Sequence, residues 1–205
     1  PVTSQSDLMQ HDEHGIHGRP GARFQKWVMN ALGTRGPEAS FAKPAGTVRI
    51  VTVGASETFG LSESPGREFP RQLEDSLNAR LSANECLRAT TTRFEVLNAA
   101  LPGMSLPTIE QDVRNRIRRF GADVILLSTF PPNPDWHFGS KRMEQYAAVT
   151  QRVANEMNVA YADVHAAWAK VLARKDAASL LANHINHPND FGHWLYAEVL
   201  KSLRF

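Results

Sequence analysis

The 205-residue chain has a single cysteine, Cys86, and therefore cannot form an intrachain disulfide. It also has no excess of one charge, because 23 Lys and Arg residues stand against 21 Asp and Glu residues. The net charge of +2 gives little attraction to nucleic acid, and no nucleic-acid partner is expected. Every apolar run is shorter than the roughly 18 residues that a membrane-spanning helix needs. The sequence thus argues against a disulfide-stapled scaffold, a strongly basic nucleic-acid binder and a helical membrane protein.

Hydrophobic residues make up 42% of the chain, which is enough for one domain with a sizeable core. Residues 1–46 are rich in Gly, Pro and polar side chains, with a helix-like piece at about 24–32. We expect them to form an extended arm packed on a domain of residues 47–205. The basic run "RNRIRR" at 114–119 is expected on the solvent face of a helix.

Strand-like and helix-like segments alternate through the rest of the chain. The predicted strands cover 48–53, 94–98, 124–128 and 160–163, and the run "VILLS" at 124–128 suits a strand buried on both faces. The predicted helices cover about 69–81, 106–120, 143–157, 165–173 and 190–200. This alternation predicts an α/β fold with a mostly parallel sheet covered by helices on both sides.

Ligands of such sheets bind beyond the carboxyl ends of the strands, so the residues that follow each strand are the candidate site residues. Ser56 follows the first strand, and Gly103 lies a short loop after the second. Asn133 follows the third strand, and the loop "ANHINHPND", which contains His187, precedes the last helix. The sequence therefore predicts that Ser, Gly, Asn and His side chains meet at one rim.

This order of residues resembles that of the SGNH hydrolases, also called the GDSL esterase/lipase superfamily. The matching blocks are "GASETFG" (54–60), "NAALPG" (98–103), "VILLSTFPPN" (124–133) and "HPNDFGH" (187–193). The resemblance covers about residues 48–200. It implies a flavodoxin-like fold, a three-layer α/β/α sandwich around a mostly parallel central sheet.

The resemblance also implies roles for individual residues. Ser56 corresponds to the nucleophile and His187 to its base, in keeping with the need of a serine hydroxyl for a base within hydrogen-bond reach. The backbone N–H groups of Ser56 and Gly103 and the side-chain amide of Asn133 correspond to the oxyanion hole. The alternative nucleophile elbow, G-x-S-x-G, is not matched because Thr58 stands at its second glycine.

Two positions depart from the family pattern. Ala55 replaces an Asp that is not the nucleophile, and His184 stands where the family places the Asp that orients the catalytic histidine. Three interpretations follow: a Ser–His dyad with His187 oriented by a backbone carbonyl, a carboxylate supplied by Asp190 or Asp163, or weakened activity. The dyad is favoured, and His184 and Asp190 stay candidates for the orienting group.

Histidine clusters offer a metal-binding alternative in two places. Gly15 makes a continuous helix through His11, His14 and His17 unfavourable, and Pro188 breaks the helix face that would join His187 to its neighbours. His193 is expected to be a structural helix residue. We therefore expect no metal and no other cofactor.

The resemblance predicts a serine esterase that hydrolyses small acyl esters, with acetyl groups on carbohydrate as the first candidate. Trp136 and Trp194 are candidate substrate-binding residues because tryptophan rings can stack on sugars. The alternatives are an acyltransferase that acts on glycans through the same site, and a weakened, carbohydrate-binding protein of the same fold. We expect a monomer whose partner is the ester substrate. The compartment stays open, with a secreted or periplasmic location favoured over the cytoplasm.

Overall fold

The computed structural model describes residues 4–137, 139 and 141–203. The chain divides into two compact units. The first contains the described residues up to Leu61 together with Glu74–Asp123, and the second contains Ser62–Leu73 together with the described residues from Val124 onward. No helix among these residues is long and apolar enough to span a bilayer.

The N-terminal arm of the first unit is built from short antiparallel pairs. Strand β1 (Met9–Asp12) pairs with β2 (Gly15–Gly18), and β3 (Arg23–Phe24) pairs with β4 (Trp27–Val28). The helix predicted at 24–32 is therefore wrong. The chain reverses at Gln25, whose φ is 51°, and buries alternate side chains beyond it, a period of two that suits extended chain and not a helix.

The arm shares a hydrophobic core with residues that come much later in the chain. This core consists of Leu8, Ala22, Trp27, Met29, Phe59, Ala100 and Leu101. Two backbone segments of the arm also cross closely, because a Cβ on Gly18 would lie 2.0 Å from the carbonyl oxygen of Gly33. Gly33 itself has a φ of +68°. Only glycine fits this crossing, which holds the two arm segments together.

Strand β5 (Thr47–Thr52) and strand β6 (Arg93–Asn98) form a parallel pair in the same unit. Between them lie the single-turn helix α1 (Ser56–Phe59), the long helix α2 (Phe69–Ser82) and the short helix α3 (Glu85–Arg88). Helix α2 buries an apolar residue every four positions along its length. The sequence predicted both strands and α2 to within one residue at each end.

A buried ion pair joins the two strands. The Nε atom of Arg49 on β5 lies 2.5 Å from a carboxylate oxygen of Glu95 on β6, and both side chains are almost fully buried. The guanidinium also donates to the carbonyl oxygens of Ser40 and Phe41 in the arm and of Phe120. The charge is therefore both paired and hydrogen-bonded, as burial of an ion requires.

Helix α4 (Leu106–Asn115) is shorter than the predicted 106–120. Its Arg116 C-cap has a φ of −126°, and the chain continues as a 3₁₀ turn, Ile117–Phe120. Arg116 is buried and pairs through two 2.7 Å bonds with Asp112. The expectation that the whole "RNRIRR" run faces solvent is thus wrong at Arg116, because this pair neutralises its buried charge.

The second unit repeats the strand–helix–strand arrangement. Strand β7 (Ile125–Leu127) pairs in parallel with β8 (Ala160–Ala162), and α5 (Met143–Met157) connects them. Helices α6 (Val164–Leu172) and α7 (Asp190–Lys201) follow. All three β7 residues are half-buried, so the expected burial on both faces is not found.

Aromatic rings form the core of the second unit. Phe130 stacks on Trp168 with ring centroids 4.4 Å apart, and Tyr196 of α7 stacks on Phe69 at 5.1 Å. Because Phe130 lies three residues after the end of β7, this core fixes the loop beyond that strand. Each unit thus contains one parallel strand pair, and the chain is α/β as predicted.

Candidate active site

Ser56 is the first residue of the single-turn helix α1, two positions after Gly54 and four after the end of β5. It is half-buried, and its carbonyl oxygen accepts the N–H of Gly60 at 3.0 Å. A Cβ on Gly54 would lie 2.3 Å from Oγ1 of Thr58, so the turn requires glycine there. The sequence folds this way because glycines at both ends, Gly54 and Gly60, allow the tight turn, with Gly60 at φ +79°.

Asn98, at the end of β6, binds the backbone of this turn through its side chain. Its side-chain amide donates to the carbonyl oxygens of Thr58 at 3.1 Å and Phe59 at 3.2 Å. Its Oδ1 atom accepts the N–H of Ala100 at 3.2 Å. Asn98 is 1% exposed, so these bonds form away from water and hold the turn against the strand pair.

Two arm residues that the sequence did not single out also bind the end of the turn. The guanidinium of Arg35 donates to the carbonyl oxygens of Phe59 and Gly60, the latter at 2.5 Å. The indole N–H of Trp27 donates to the same Gly60 oxygen at 3.2 Å. The N–H of Arg35 binds the carbonyl oxygen of Asn98 at 2.7 Å, so arm, strand and turn are tied together.

Gly103 lies in the same unit as Ser56. The segment that leads to it is bound to the segment that leads to Ser56, because the N–H of Leu101 donates to the carbonyl oxygen of Gly54 at 3.2 Å. Gly103 is exposed, with a φ of +78° and open space around the position of a Cβ. Ser105 then caps α4 by accepting the N–H of Thr108. The bond from Leu101 to Gly54 thus joins the backbone two residues before Gly103 to the backbone two residues before Ser56.

Asn133 and the histidine loop are brought together in the second unit. The side-chain amide of Asn133 donates to the carbonyl oxygen of His184 at 2.8 Å, and its backbone N–H donates to that of Ile185 at 2.8 Å. Its Oδ1 atom accepts the N–H of Asp135 at 3.0 Å. Because an amide nitrogen carries two hydrogens, the bond to His184 uses one of the two donors of Asn133.

The residue that faces Nδ1 of His187 is Asn183. Its amide nitrogen lies 2.8 Å from Nδ1, while its Oδ1 accepts the backbone N–H of His187 at 2.9 Å. His184, one position later, has a left-handed backbone with φ 56° and an exposed side chain. Sequence analysis did not identify Asn183, because the family spacing points to position 184. The left-handed backbone at His184 turns the chain so that the side chain of Asn183 faces the imidazole instead.

The two carboxylates considered as orienting groups have other contacts. Asp190 begins α7 and accepts the N–H of Ser64 at 2.7 Å. Asp163 caps α6 by accepting the N–H of Ala166 at 2.9 Å, and it also accepts the hydroxyl of Ser128 at 3.1 Å. Each carboxylate fixes a turn of the second unit through these bonds.

His193 is buried on α7, at 1% exposure. Its Nδ1 atom accepts the N–H of Phe69 at 3.2 Å, and its Nε2 atom lies 3.7 Å from a buried carboxylate oxygen of Glu63. This placement agrees with the expected structural role, because the imidazole joins α7 to the first residue of α2.

The tryptophans proposed to bind substrate differ in their surroundings. Trp136 is half-buried in the turn after Asn133. The backbone N–H of Trp136 donates to the carbonyl oxygen of Asn133 at 3.0 Å. Trp194 is 44% exposed and stacks on Phe191 with ring centroids 5.3 Å apart. Lys175 lies 5.8 Å from the centroid of the Phe191 ring. Trp194 thus belongs to an exposed aromatic pair on the first two turns of α7.

Of the three N-terminal histidines, His17 is buried and hydrogen-bonded. His17 binds Asp12 through Nε2 at 3.0 Å and lies 3.0 Å from the carbonyl oxygen of Gly18 through Nδ1. Among residues 4–137, 139 and 141–203, no group of three or more His, Cys, Asp or Glu residues is arranged to hold a metal ion.

Neither a protein-family model nor a curated protein matches the sequence. Solved structures do match. The acetylxylan esterase Axe2 from Geobacillus stearothermophilus superposes with a TM-score of 0.53 at 16% identity, over 77% of this chain and 95% of that one. LAE5, an alpha/beta hydrolase enzyme from the metagenome of Lake Arreo in Spain, superposes with a TM-score of 0.54 at 18% identity. The match covers 75% of this chain and 93% of that one.

A third match is a member of the lipolytic protein G-D-S-L family from Veillonella parvula DSM 2008. Its TM-score is 0.54 at 14% identity, over 76% of this chain and 98% of that one. All three structures are covered almost completely, and one of them carries the family name that the sequence blocks suggested. The chain therefore has the fold of the SGNH hydrolases, also called the GDSL superfamily.

Proposed function

We propose that this chain is a serine esterase of the SGNH type. The observation that carries the proposal is the anchored turn of residues 56–60, in which Asn98 holds the two carbonyls behind Ser56. A nucleophile needs a fixed backbone, because small displacements of the reacting atom cost large factors in rate. The fold match to esterases supports the same assignment.

The proposed reaction passes through an acyl-serine. The Ser56 hydroxyl attacks the ester carbonyl, its proton passes to Nε2 of His187, and that proton then leaves with the alcohol. Water, deprotonated by His187, releases the acid and regenerates Ser56. The N–H groups of Ser56 and Gly103 and the amide of Asn133 hold the oxyanion, and loss of one such donor typically costs about 100- to 1,000-fold in turnover.

The finer expectations about the fold and the substrate belong to the same proposal. The domain is a three-layer α/β/α sandwich of residues 47–205, with residues 1–46 as its arm. The substrate is a small acyl ester, and acetyl groups on carbohydrate are the first candidate because Axe2 is an acetylxylan esterase. The exposed ring of Trp194 suits stacking on a sugar, and Trp136 is the second candidate for this contact.

Hydrolysis of p-nitrophenyl acetate by the wild-type protein, Ser56→Ala and Ser82→Ala tests the assignment. Ser82 is a matched control because its exposed hydroxyl only binds the carbonyl oxygen of Asn78. We expect Ser56→Ala alone to abolish both turnover and labelling by a fluorophosphonate. Equal rates for wild type and Ser56→Ala would overturn the proposal.

The same samples separate the two alternative functions. Incubation with an acetylated xylo-oligosaccharide and a second glycan distinguishes an acyltransferase, which transfers acetyl to the acceptor, from an esterase, which releases acetate. A carbohydrate-binding protein of this fold would bind the glycan without labelling at Ser56.

A further inference from the structure

The amide group of Asn183 has a fixed orientation. Its Oδ1 atom accepts the backbone N–H groups of Ile185 at 3.0 Å, Asn186 at 2.9 Å and His187 at 2.9 Å. Exchange of the amide oxygen and nitrogen would place an NH₂ group against three N–H donors. The oxygen therefore faces the loop backbone, and the nitrogen faces Nδ1 of His187 at 2.8 Å.

This orientation determines where the neutral imidazole carries its proton. The Asn183 nitrogen only donates, so Nδ1 of His187 must accept with its lone pair. The single ring proton of neutral His187 then lies on Nε2. A proton on Nδ1 would point at the amide hydrogens, both in the other neutral tautomer and in the imidazolium.

We propose that Asn183 is a positioning residue that holds His187 in the Nε2–H tautomer and thereby limits the rate of ester hydrolysis. The tautomer follows from the loop alone, whereas its effect on rate rests on the proposed function. Position 183, and not position 184, is then the place where a carboxylate would complete the site.

The proton balance explains the effect on rate. To take the Ser56 proton at Nε2, the ring must first lose its Nε2 proton to water and gain one at Nδ1, which opposes the Asn183 amide. When Oγ then bonds to the ester carbon, Nε2 receives the hydroxyl proton and the ring carries protons on both nitrogens. In serine proteases, Asn in place of the orienting Asp fixes the wrong tautomer and lowers kcat about 10⁴-fold.

An aspartate at position 183 would reverse this arrangement. One carboxylate oxygen replaces Oδ1 and accepts the three loop N–H groups, while the other accepts a hydrogen bond from Nδ1–H of His187, which keeps its proton. Nε2 is then left as the base. We expect Asn183→Asp to raise kcat for p-nitrophenyl acetate by up to about 10⁴-fold, with little change in KM.

The test combines kinetics with ¹⁵N NMR of histidine-labelled protein, in which long-range ¹H–¹⁵N couplings identify the tautomer. Comparison with His187→Gln assigns the His187 signals. Asn84→Asp is the control, because it adds the same charge at the exposed N-cap of α3, where the side chain only accepts the N–H of Leu87. We expect Nε2–H in the wild type and in Asn84→Asp, and Nδ1–H with faster turnover in Asn183→Asp alone.

Each outcome is decisive. Wild-type protein with Nδ1–H on His187 overturns the proposal without need of any variant. If the wild-type protein hydrolyses the ester and Asn183→Asp changes the tautomer without raising kcat, the claim that Asn183 limits the rate is overturned. If the tautomers are as expected but neither protein is labelled at Ser56 by a fluorophosphonate, the proposed function fails while the role of Asn183 in setting the tautomer stands.

Discussion

The guanidinium of Arg35 donates a 2.5 Å hydrogen bond to the carbonyl oxygen of Gly60, at the end of the turn that starts with Ser56. Arg35 is 4% exposed, and it lies 24 positions before Phe59, whose carbonyl it also binds. A cation at the C-terminal end of a helical turn also complements the partial negative charge of the exposed carbonyls. The N-terminal arm thereby fixes the backbone that carries the proposed nucleophile.

Replacement of Arg35 by alanine should lower both stability and turnover. It removes a donor from two buried carbonyls, which costs about 1–3 kcal/mol, and loosens the turn behind Ser56. Arg35→Lys, which keeps the charge and part of the hydrogen bonding, should recover part of both losses. Urea unfolding and ester hydrolysis measure the two effects. Arg23→Ala is the control, since Arg23 is exposed on the same arm, and an equal loss there would contradict the assignment.

Gly54→Ala should strain the turn before Ser56. The new Cβ would lie 2.3 Å from Oγ1 of Thr58 and 2.8 Å from its Cβ, and such overpacking typically costs about 1–3 kcal/mol. The double variant Gly54→Ala/Thr58→Ala should recover part of this loss, because it removes the nearest contact. The free energies of unfolding of both variants and of Thr58→Ala form a double-mutant cycle. Independent, additive effects would show that the two residues do not clash.

Glu95→Ala should destabilise the protein strongly. It leaves the fully buried guanidinium of Arg49 without its carboxylate, and rupture of such a buried pair costs about 3–5 kcal/mol. The exposed pair of Glu110 and Arg114 provides the comparison, because Glu110→Ala should cost less than about 1 kcal/mol. Chemical denaturation of both variants measures the difference, and similar losses would contradict the predicted role of burial.

The hairpin of β1 and β2 should contribute a pH-dependent part of the stability. The backbone N–H of His14, together with the imidazole of His17, lowers the pKa of Asp12 below its ordinary value. Because the folded pKa is the lower one, the stabilisation is complete above the unfolded pKa of about 4 and is lost as the pH falls through the folded value. Asp12→Asn should therefore lose less Tm than the wild type between pH 7 and pH 3. An equal loss of Tm in Asp12→Asn and in the wild type would show that Asp12 does not cause the pH dependence.

The regular elements of the chain could be predicted because their apolar patterns are strong. Helix α5 follows the predicted range at both ends, and β5, β6 and α2 lie within one residue of theirs. The arm was harder to predict, because β1 to β4 have only two to four residues each, and what stabilises them is a core shared with Phe59 and Leu101. No local pattern at residues 23–28 contains that information.

The candidate site divides in the same way. Ser56, Gly103, Asn133 and His187 are marked by their places after strands or before the last helix. Arg35 and Asn183 are not, because their contacts depend on backbone paths that the sequence does not display. In the case of Asn183, the left-handed backbone of His184 lets the preceding side chain reach the imidazole, so a count of three residues back from His187 leads to the wrong neighbour.

The long-range contacts of the arm also bear on the order in which the protein folds during synthesis. Asn115 donates to the carbonyl oxygen of His14 across 101 positions, and Arg35 binds Asn98. At about 5–20 residues per second, the ribosome needs roughly 5–20 s to produce the partners of the first hairpin. Until Ala100 and Leu101 are made, Trp27 and Met29 cannot complete the core that they share with these residues, so the packing of the arm has to wait for strand β6 and the segment after it.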